Sequence, residues 1–310
     1  MIMKNWQIPE DELLYSGHAA CQGCGGALAM RLALKALGEN SVVTIPACCW
    51  TIISGDVLYN ALKIPVFHTA FETAAISAAG LKAGLTMRGL KDTTVFAWAG
   101  DGGTFDIGIQ SISGAAERNE DIIYFVYDNE AYMNTGIQRS SATPWGAWTT
   151  TTPVKHPEDK PKKNIDEIIA AHGVPYQATV NIAFPEDFIR KVQKAKGIKG
   201  FRFFHIFAPC PPGWKIPSDI SIRAARLATQ TNVFPLYEIE HGKNYRVSYM
   251  PPKKVPVSEY LKIQGRFRHL KEEDVEFIQK MVNENFDSLL KKHELTHGTL
   301  QNIPSPEFYR

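Results

Sequence analysis

The residues able to do chemistry fall into two sets. The first comprises Gly100-Asp101-Gly102-Gly103 and the string Asp128-Asn129-Glu130-Ala131-Tyr132-Met133-Asn134-Thr135-Gly136. Asp101 offers a carboxylate, and Asn129, 28 positions on, offers an amide oxygen. Mg²⁺ takes hard oxygen ligands of this kind and shares its shell with phosphates. The pair therefore suits an ion that holds a diphosphate, and Gly100, Gly102 and Gly103 let backbone N–H groups approach phosphate oxygens. The second set is the five cysteines. Cys21 and Cys24 form a Cys-x-x-Cys pair, Cys48 and Cys49 are adjacent, and Cys210 opens Cys-Pro-Pro-Gly-Trp. Four thiolates complete a shell for zinc or for a [4Fe–4S] cluster, and free thiols are a third reading.

Each oxygen-bearing loop follows an apolar run that reads as a buried strand, 94–99 and 122–127, and residues 107–118 between them read as a helix. Such a strand–loop–helix–strand–loop unit puts both loops at the carboxyl ends of neighbouring parallel strands, the edge where open α/β sheets bind ligands. The same alternation runs on through residue 207: helices over 27–37, 51–62, 73–88, 165–172 and 185–196, strands over 42–45, 66–69, 176–180 and 201–207. It predicts an α/β fold, a mostly parallel sheet with helices on both faces. Asn164 and Glu167 make a capping-box pattern at the start of the fourth of these helices. Residues 140–161, with five threonines and two tryptophans, read as an ordered wall beside the site. A helix over 218–229, a strand pair within 233–256 closed by Pro251-Pro252, an amphipathic helix over 271–293 and a tail over 296–310 complete the chain. We expect one domain over 1–230 that carries both sets, and a C-terminal extension over 231–310. Residues 1–17 read as a polar arm lying on another surface.

The Gly-Asp-Gly plus asparagine spacing resembles the thiamine-diphosphate-binding motif. The longer string from Tyr127 through Ser141 resembles the β subunits of pyruvate:ferredoxin oxidoreductases, within the 2-oxoacid:ferredoxin oxidoreductase family, and the likeness runs from about residue 17 to about residue 269. It implies thiamine diphosphate held through Mg²⁺ by Asp101, Asn129 and the Ala131 carbonyl, with Gly100, Gly102, Gly103, Thr135 and Gly136 along the diphosphate and Asn134 as the catalytic asparagine beside the reactive carbon of thiamine. It also implies that Cys21, Cys24, Cys49 and Cys210 hold one [4Fe–4S] cluster. Cys48 departs from the family pattern. Cys49, 25 residues after Cys24 and 22 before Phe71, fits its spacing, which leaves Cys48 as a small thiol facing the core. The implied activity is reversible oxidative decarboxylation of a 2-oxoacid, first of all pyruvate, with coenzyme A and ferredoxin. The glutamate that activates the cofactor belongs in this family to a partner α subunit, so a hetero-oligomer inactive as a single chain is expected.

Composition is that of a globular protein, 44% hydrophobic and 21% charged, and a net charge of +2 gives no reason to invoke nucleic acid or an acidic membrane. No apolar run approaches the length of a membrane span, and 1–6 lack a signal-peptide pattern. A cytoplasmic location follows as an expectation. The lysines at 155, 162, 163, 191, 194, 196 and 199 read as solvated faces, Arg139 as facing phosphate, a partner or solvent, and His18 as a loop histidine. Rival functions are the same chemistry on oxalate, branched-chain or aryl 2-oxoacids, a non-redox thiamine-dependent decarboxylase with structural zinc, and a non-catalytic assembly subunit.

Overall fold

A computed structural model describes residues 8–56 and 58–297. The first seven residues of the expected arm, Val57 within the expected second helix and the tail beyond His297 lie outside them. The elements run α1 (Gly25–Leu37), β1 (Ser41–Pro46), α2 (Cys49–Ile53), β2 (Val66–Thr69), α3 (Ala74–Met87), β3 (Thr94–Gly100), α4 (Ile109–Glu117), β4 (Ile123–Asp128), α5 (Ile165–Ala170), β5 (Tyr176–Asn181), α6 (Pro185–Lys196), β6 (Arg202–Phe207), α7 (Pro211–Trp214), α8 (Ser221–Gln230), β7 (Tyr237–Glu240), β8 (Asn244–Val247), α9 (Val257–Leu261) and α10 (Glu272–His297).

The eight strands form one sheet in the order β2-β1-β3-β4-β6-β5-β7-β8. The first six pair in parallel; β7 and β8 add antiparallel. β3 and β4 are buried at nearly every position and β6 throughout, which is why their sequences are continuous apolar runs rather than alternating ones. Residues on one face, among them Trp98 and Phe125, pack with α1, α6 and α8. Their neighbours Ala97, Ala99 and Val126 pack on the other face with α3, α4 and α5. The strand order reverses between β1 and β3, so the loops after these two strands diverge and leave a crevice at their carboxyl ends.

Several boundaries differ from the sequence reading. α2 stops at Ile53, where Gly55 takes a positive φ of 81° and a Cβ there would meet the Tyr59 carbonyl oxygen at 2.5 Å. The β7–β8 hairpin turns at His241 and Gly242, both at positive φ, and not at Pro251-Pro252. Asn164 caps α5 by accepting from the Glu167 N–H, but the Glu167 carboxylate goes to Tyr245 and Lys292 instead of closing the box. The described part of the N-terminal arm lies on its own chain: Glu12 pairs with Arg31 and Lys35, and Lys35 Nζ donates to the Pro9 carbonyl at 2.7 Å. Among the described residues no helix is long and apolar enough to cross a membrane.

Candidate active site

Two strand ends deliver the oxygen-bearing residues. β3 ends at Gly100 and hands Asp101 to a single π-helical turn, Gly102–Asp106, that leads into α4. β4, in register beside it, ends at Asp128 and delivers Asn129. Asp101 is 1% exposed, and its partner is Ser140, whose hydroxyl donates to Oδ2 at 2.5 Å. Burial, and after it the charge of Asp128, push the Asp101 carboxyl well above the usual carboxylate range. A cation beside it would reverse that.

The Asn129 carboxamide supplies the geometry for one. One of its terminal atoms lies 2.9 Å from Asp101 Oδ1 and 3.0 Å from the Ala131 carbonyl oxygen. With the amide nitrogen there, it donates to both. With the carbonyl oxygen there, it stands 2.9 Å and 3.0 Å from the other two oxygens, close to the edge of an octahedral shell with Mg–O bonds of about 2.0–2.1 Å. The amide can turn either end to the site, so the residues fit Mg²⁺ without rearrangement.

The loop that carries Asn129 and Ala131 is braced on all sides. Trp214 Nε1 donates to the Asn129 carbonyl at 2.8 Å. Glu130, at a positive φ of 69°, is 2% exposed, and its carboxylate accepts from Arg266 and from Lys162. Lys162 also pairs with Asp128. His205 places one ring nitrogen 2.8 Å from Asp128 and the other 2.8 Å from Asp166. These bonds correct the reading of Lys162 as a solvated charge: it serves two buried carboxylates behind the loop, Asp128 and Glu130. Lys191 is likewise buried, 2.7 Å from Asp187. Arg139 pairs with the buried Glu158 at 2.8 Å. His18 accepts from the Ala20 N–H within its own loop.

A cavity of ≈ 200 Å³ opens at this edge. Gly100, Asp101, Gly102, Gly103, Asn129, Ala131, Asn134 and Thr135 all line it; Gly136 lies just outside, at a φ of 116°, where the chain turns back. Asn134 and Thr135 are exposed at its mouth. At Gly102 a Cβ would come within 2.2 Å of the Tyr132 ring, so the glycine there serves a close side-chain packing as well as backbone access. Phe71, Tyr127, Tyr132 and Met133 add to the lining. Sequence reasoning gave no role to Phe71, Tyr127 or Ser140 at the site, because apolar and hydroxyl residues carry no spacing signature.

The thiols gather on the same side. Cys49 faces the cavity beside Asp101. Burial pushes its thiol up to about 12, with further upward pushes from Cys48, Cys210, Cys24 and Asp101. Burial also raises Cys24, and it takes Cys210 up to about 12, with the charges of Cys24 and Cys21 adding to it. Backbone N–H groups of Gly26 and Ala27 point at the Cys24 sulfur and that of Gly213 at the Cys210 sulfur. Cys21, Cys24, Cys49 and Cys210 thus act on one another electrostatically, with N–H donors aimed at sulfur, a setting that suits anionic sulfur bound to iron. Cys21 is exposed, the other three half-buried. Among the described residues no three His, Cys, Asp or Glu side chains gather at the spacing of a single metal ion.

Cys48 packs against the core and also borders the site. It lines the cavity, caps α2 by accepting from the Thr51 N–H, and bonds to the Tyr127 hydroxyl. Its own backbone is extended, at φ −170° and ψ −174°, but Cys49 is already the first residue of α2, so strand alternation does not carry over from one to the other and both line the cavity. The threonine-rich segment 140–161 is ordered without regular structure. Trp145 packs on Phe277 with centroids 4.8 Å apart, and Thr150 bonds back to the Gly136 carbonyl at 2.9 Å; of this segment Ser140 is the residue that reaches Asp101.

Comparison with known proteins agrees with this geometry. Residues 57–206 match the family model described as "Thiamine pyrophosphate enzyme, C-terminal TPP binding domain". The chain is 51% identical to the ketoisovalerate oxidoreductase subunit VorB of Pyrococcus furiosus, over 95% of this chain and 97% of the relative. It is 50% identical to the pyruvate synthase subunit PorB of Methanothermobacter marburgensis, over 89% of this chain and 97% of the relative. The 2-oxoglutarate:ferredoxin oxidoreductase of Magnetococcus marinus, solved with 2-oxoglutarate, coenzyme A and succinyl-CoA, shares the fold, with a TM-score of 0.57 at 22% identity over 72% of this chain and 81% of that one. The chain belongs to the thiamine-diphosphate-dependent 2-oxoacid:ferredoxin oxidoreductases, as a subunit of the VorB and PorB kind.

Proposed function

We propose that this chain binds thiamine diphosphate–Mg²⁺ and one [4Fe–4S] cluster, in a hetero-oligomer that oxidatively decarboxylates a short aliphatic 2-oxoacid with coenzyme A and passes the electrons to ferredoxin. The observation that carries this reading is that Cys49 lines the same cavity as Asp101, Asn129 and Ala131, close enough for Asp101 to act on its thiol, with Cys24 and Cys210 near enough to act on it as well. Pyruvate and 2-oxoisovalerate are the two candidate substrates, because relatives of either name match this chain at 48–51% identity.

Bound thiamine diphosphate supplies the nucleophilic carbon and the electron sink, and the cluster a one-electron relay. Asp101, Asn129 and the Ala131 carbonyl would hold the ion, with Ser140 fixing the Asp101 carboxylate. Gly100, Gly102, Gly103, Thr135 and Gly136 would run along the diphosphate. Asn134, exposed at the mouth, is placed to orient the substrate by hydrogen bonding. Cys21, Cys24, Cys49 and Cys210 would ligate the cluster. Among the described residues the only carboxylate lining the cavity is Asp101, already committed to the ion. Activation of the aminopyrimidine therefore needs a carboxylate from a partner subunit, which accounts for a cofactor site that only assembly completes.

The test is turnover by the assembled, anaerobically purified complex with pyruvate, 2-oxoisovalerate and oxalate, with and without coenzyme A, read as ferredoxin reduction. Reduction that requires pyruvate or 2-oxoisovalerate together with coenzyme A supports the reading. Release of CO₂ without any reduced acceptor would instead mark a non-redox decarboxylase.

A further inference from the structure

We propose that the indole N–H of Trp50 donates a hydrogen bond to the iron–sulfur cluster and raises its reduction potential; this rests on the cluster reading given above. Trp50 follows Cys49 directly and is 0% exposed. Its Nε1 is buried and has no hydrogen-bond partner among the described residues. An unmet buried donor costs about 1–3 kcal/mol, so a group that accepts from it is expected in the complete molecule.

The acceptor side is marked by Gly26. The point where a Cβ would stand on that glycine is 3.6 Å from Trp50 Nε1 and 3.7 Å from Cys24 Sγ. The nitrogen is the indole atom nearest that point, so the N–H edge of the ring and the Cys24 sulfur border the same small space. Because residue 26 is glycine, no side chain fills it. The other donors to the thiols are backbone groups fixed by the helix starts at Cys24 and Cys210. Trp50 adds a side-chain donor from α2, the element that carries Cys49 itself.

On reduction the cluster takes up one electron and no proton, and no bond to iron forms or breaks. The added charge resides partly on sulfur, so an N–H bond to sulfur strengthens. The reduced state gains more than the oxidised one, and the potential rises. The competing use of the N–H is a weak contact with the Tyr127 ring, whose Cδ2 lies 3.3 Å from the same point over Gly26.

The experiment is an EPR-monitored redox titration of the assembled complex, as wild type, Trp50→Phe, Trp98→Phe and Cys49→Ser. The signal lost in Cys49→Ser identifies the cluster held by this chain; if none is lost, the cluster reading fails and this inference with it. Trp98 is the control, since it stacks edge-on with Trp50 at 6.1 Å, is equally buried and also has an unmet N–H. We expect the midpoint to move to more negative potential in Trp50→Phe and to stay in place in Trp98→Phe. An unmoved midpoint in Trp50→Phe, or the same shift in both variants, overturns the inference. Should Trp50→Phe not assemble, pulsed EPR of wild-type complex carrying isotope-labelled indole nitrogen decides: a nitrogen coupling to the reduced cluster supports the hydrogen bond, and its absence refutes it.

Discussion

At the scale of single residues, the two neighbouring cysteines make the sharpest contrast. Both line the cavity, yet only Cys49 has Cys210 and Cys24 among the charges that act on it; the Cys48 sulfur is occupied by the Thr51 N–H and the Tyr127 hydroxyl. Cys49→Ser is therefore expected to remove or convert the cluster and stop ferredoxin reduction. Cys48→Ser, whose hydroxyl can still cap α2, should keep the iron and lose at most about 1 kcal/mol of stability. Iron content with EPR of the reduced protein checks both, and an intact four-iron signal in Cys49→Ser would reverse the assignment. Much of the site was legible because its residues carry spacing: Asp101, Asn129 and the cysteine pair announce themselves by type and interval. Ser140 and Tyr127 do not. Each works through one hydroxyl delivered from a distant stretch of chain, Ser140 to Asp101 across 39 residues.

At the scale of elements, the strand ends are held in place by a buried ionic group that no periodicity reveals. His205 on β6 bonds through both ring nitrogens, to Asp128 at the end of β4 and to Asp166 on α5. A neutral imidazole can donate through only one of them, so this geometry calls for the protonated ring. Burial works against that charge, but Asp166 and Asp128 outweigh it and raise His205 to about 9. The folded value lies above the unfolded 6.5, so the stabilisation is complete below 6.5 and is lost as pH rises through 9. Denaturant titrations at several pH values should show wild type losing up to about 3 kcal/mol across that window, and His205→Gln lacking this component. Equal pH dependence in the two proteins would contradict it. The strands and long helices were readable from apolar runs and 3.6-residue periodicity, as α6 shows, whose span Pro185–Lys196 the sequence marks at both ends. α2 was overextended because residues 51–62 look helical locally, while the turn at Gly55 is set by its contact with the Tyr59 carbonyl. Lys162 looked like a surface charge because its partners Asp128 and Glu130 are distant in sequence, and Lys191 because the Thr179 carbonyl and Ser248 hydroxyl that receive it are, although its carboxylate Asp187 lies one helical turn back.

At the scale of the whole molecule, the surface of α3 bears on assembly. Ile76 and Met87 are exposed at 45% and 90%, and Cβ atoms added at Gly80 and Gly84 would meet nothing within 4 Å. A large side chain at Gly84 thus disturbs nothing inside this chain and can only obstruct a neighbour. Gly84→Arg is expected to leave the melting temperature of the separate chain within about 2 °C, since exposed substitutions cost little, and to shift the complex towards dissociated subunits in sedimentation velocity. Unchanged assembly would mean that α3 faces solvent. Assembly matters to the proposed function because Asp101 is the only carboxylate that lines the cavity among the described residues, so activation of the cofactor would need a group from a partner. The most direct test of the account is therefore calorimetric titration of the assembled complex with thiamine diphosphate and Mg²⁺, wild type against Asp101→Ala. The triad of Asp101, Asn129 and the Ala131 carbonyl predicts that binding disappears in the variant while its circular dichroism and subunit composition stay as in wild type; undiminished binding in Asp101→Ala would contradict the site.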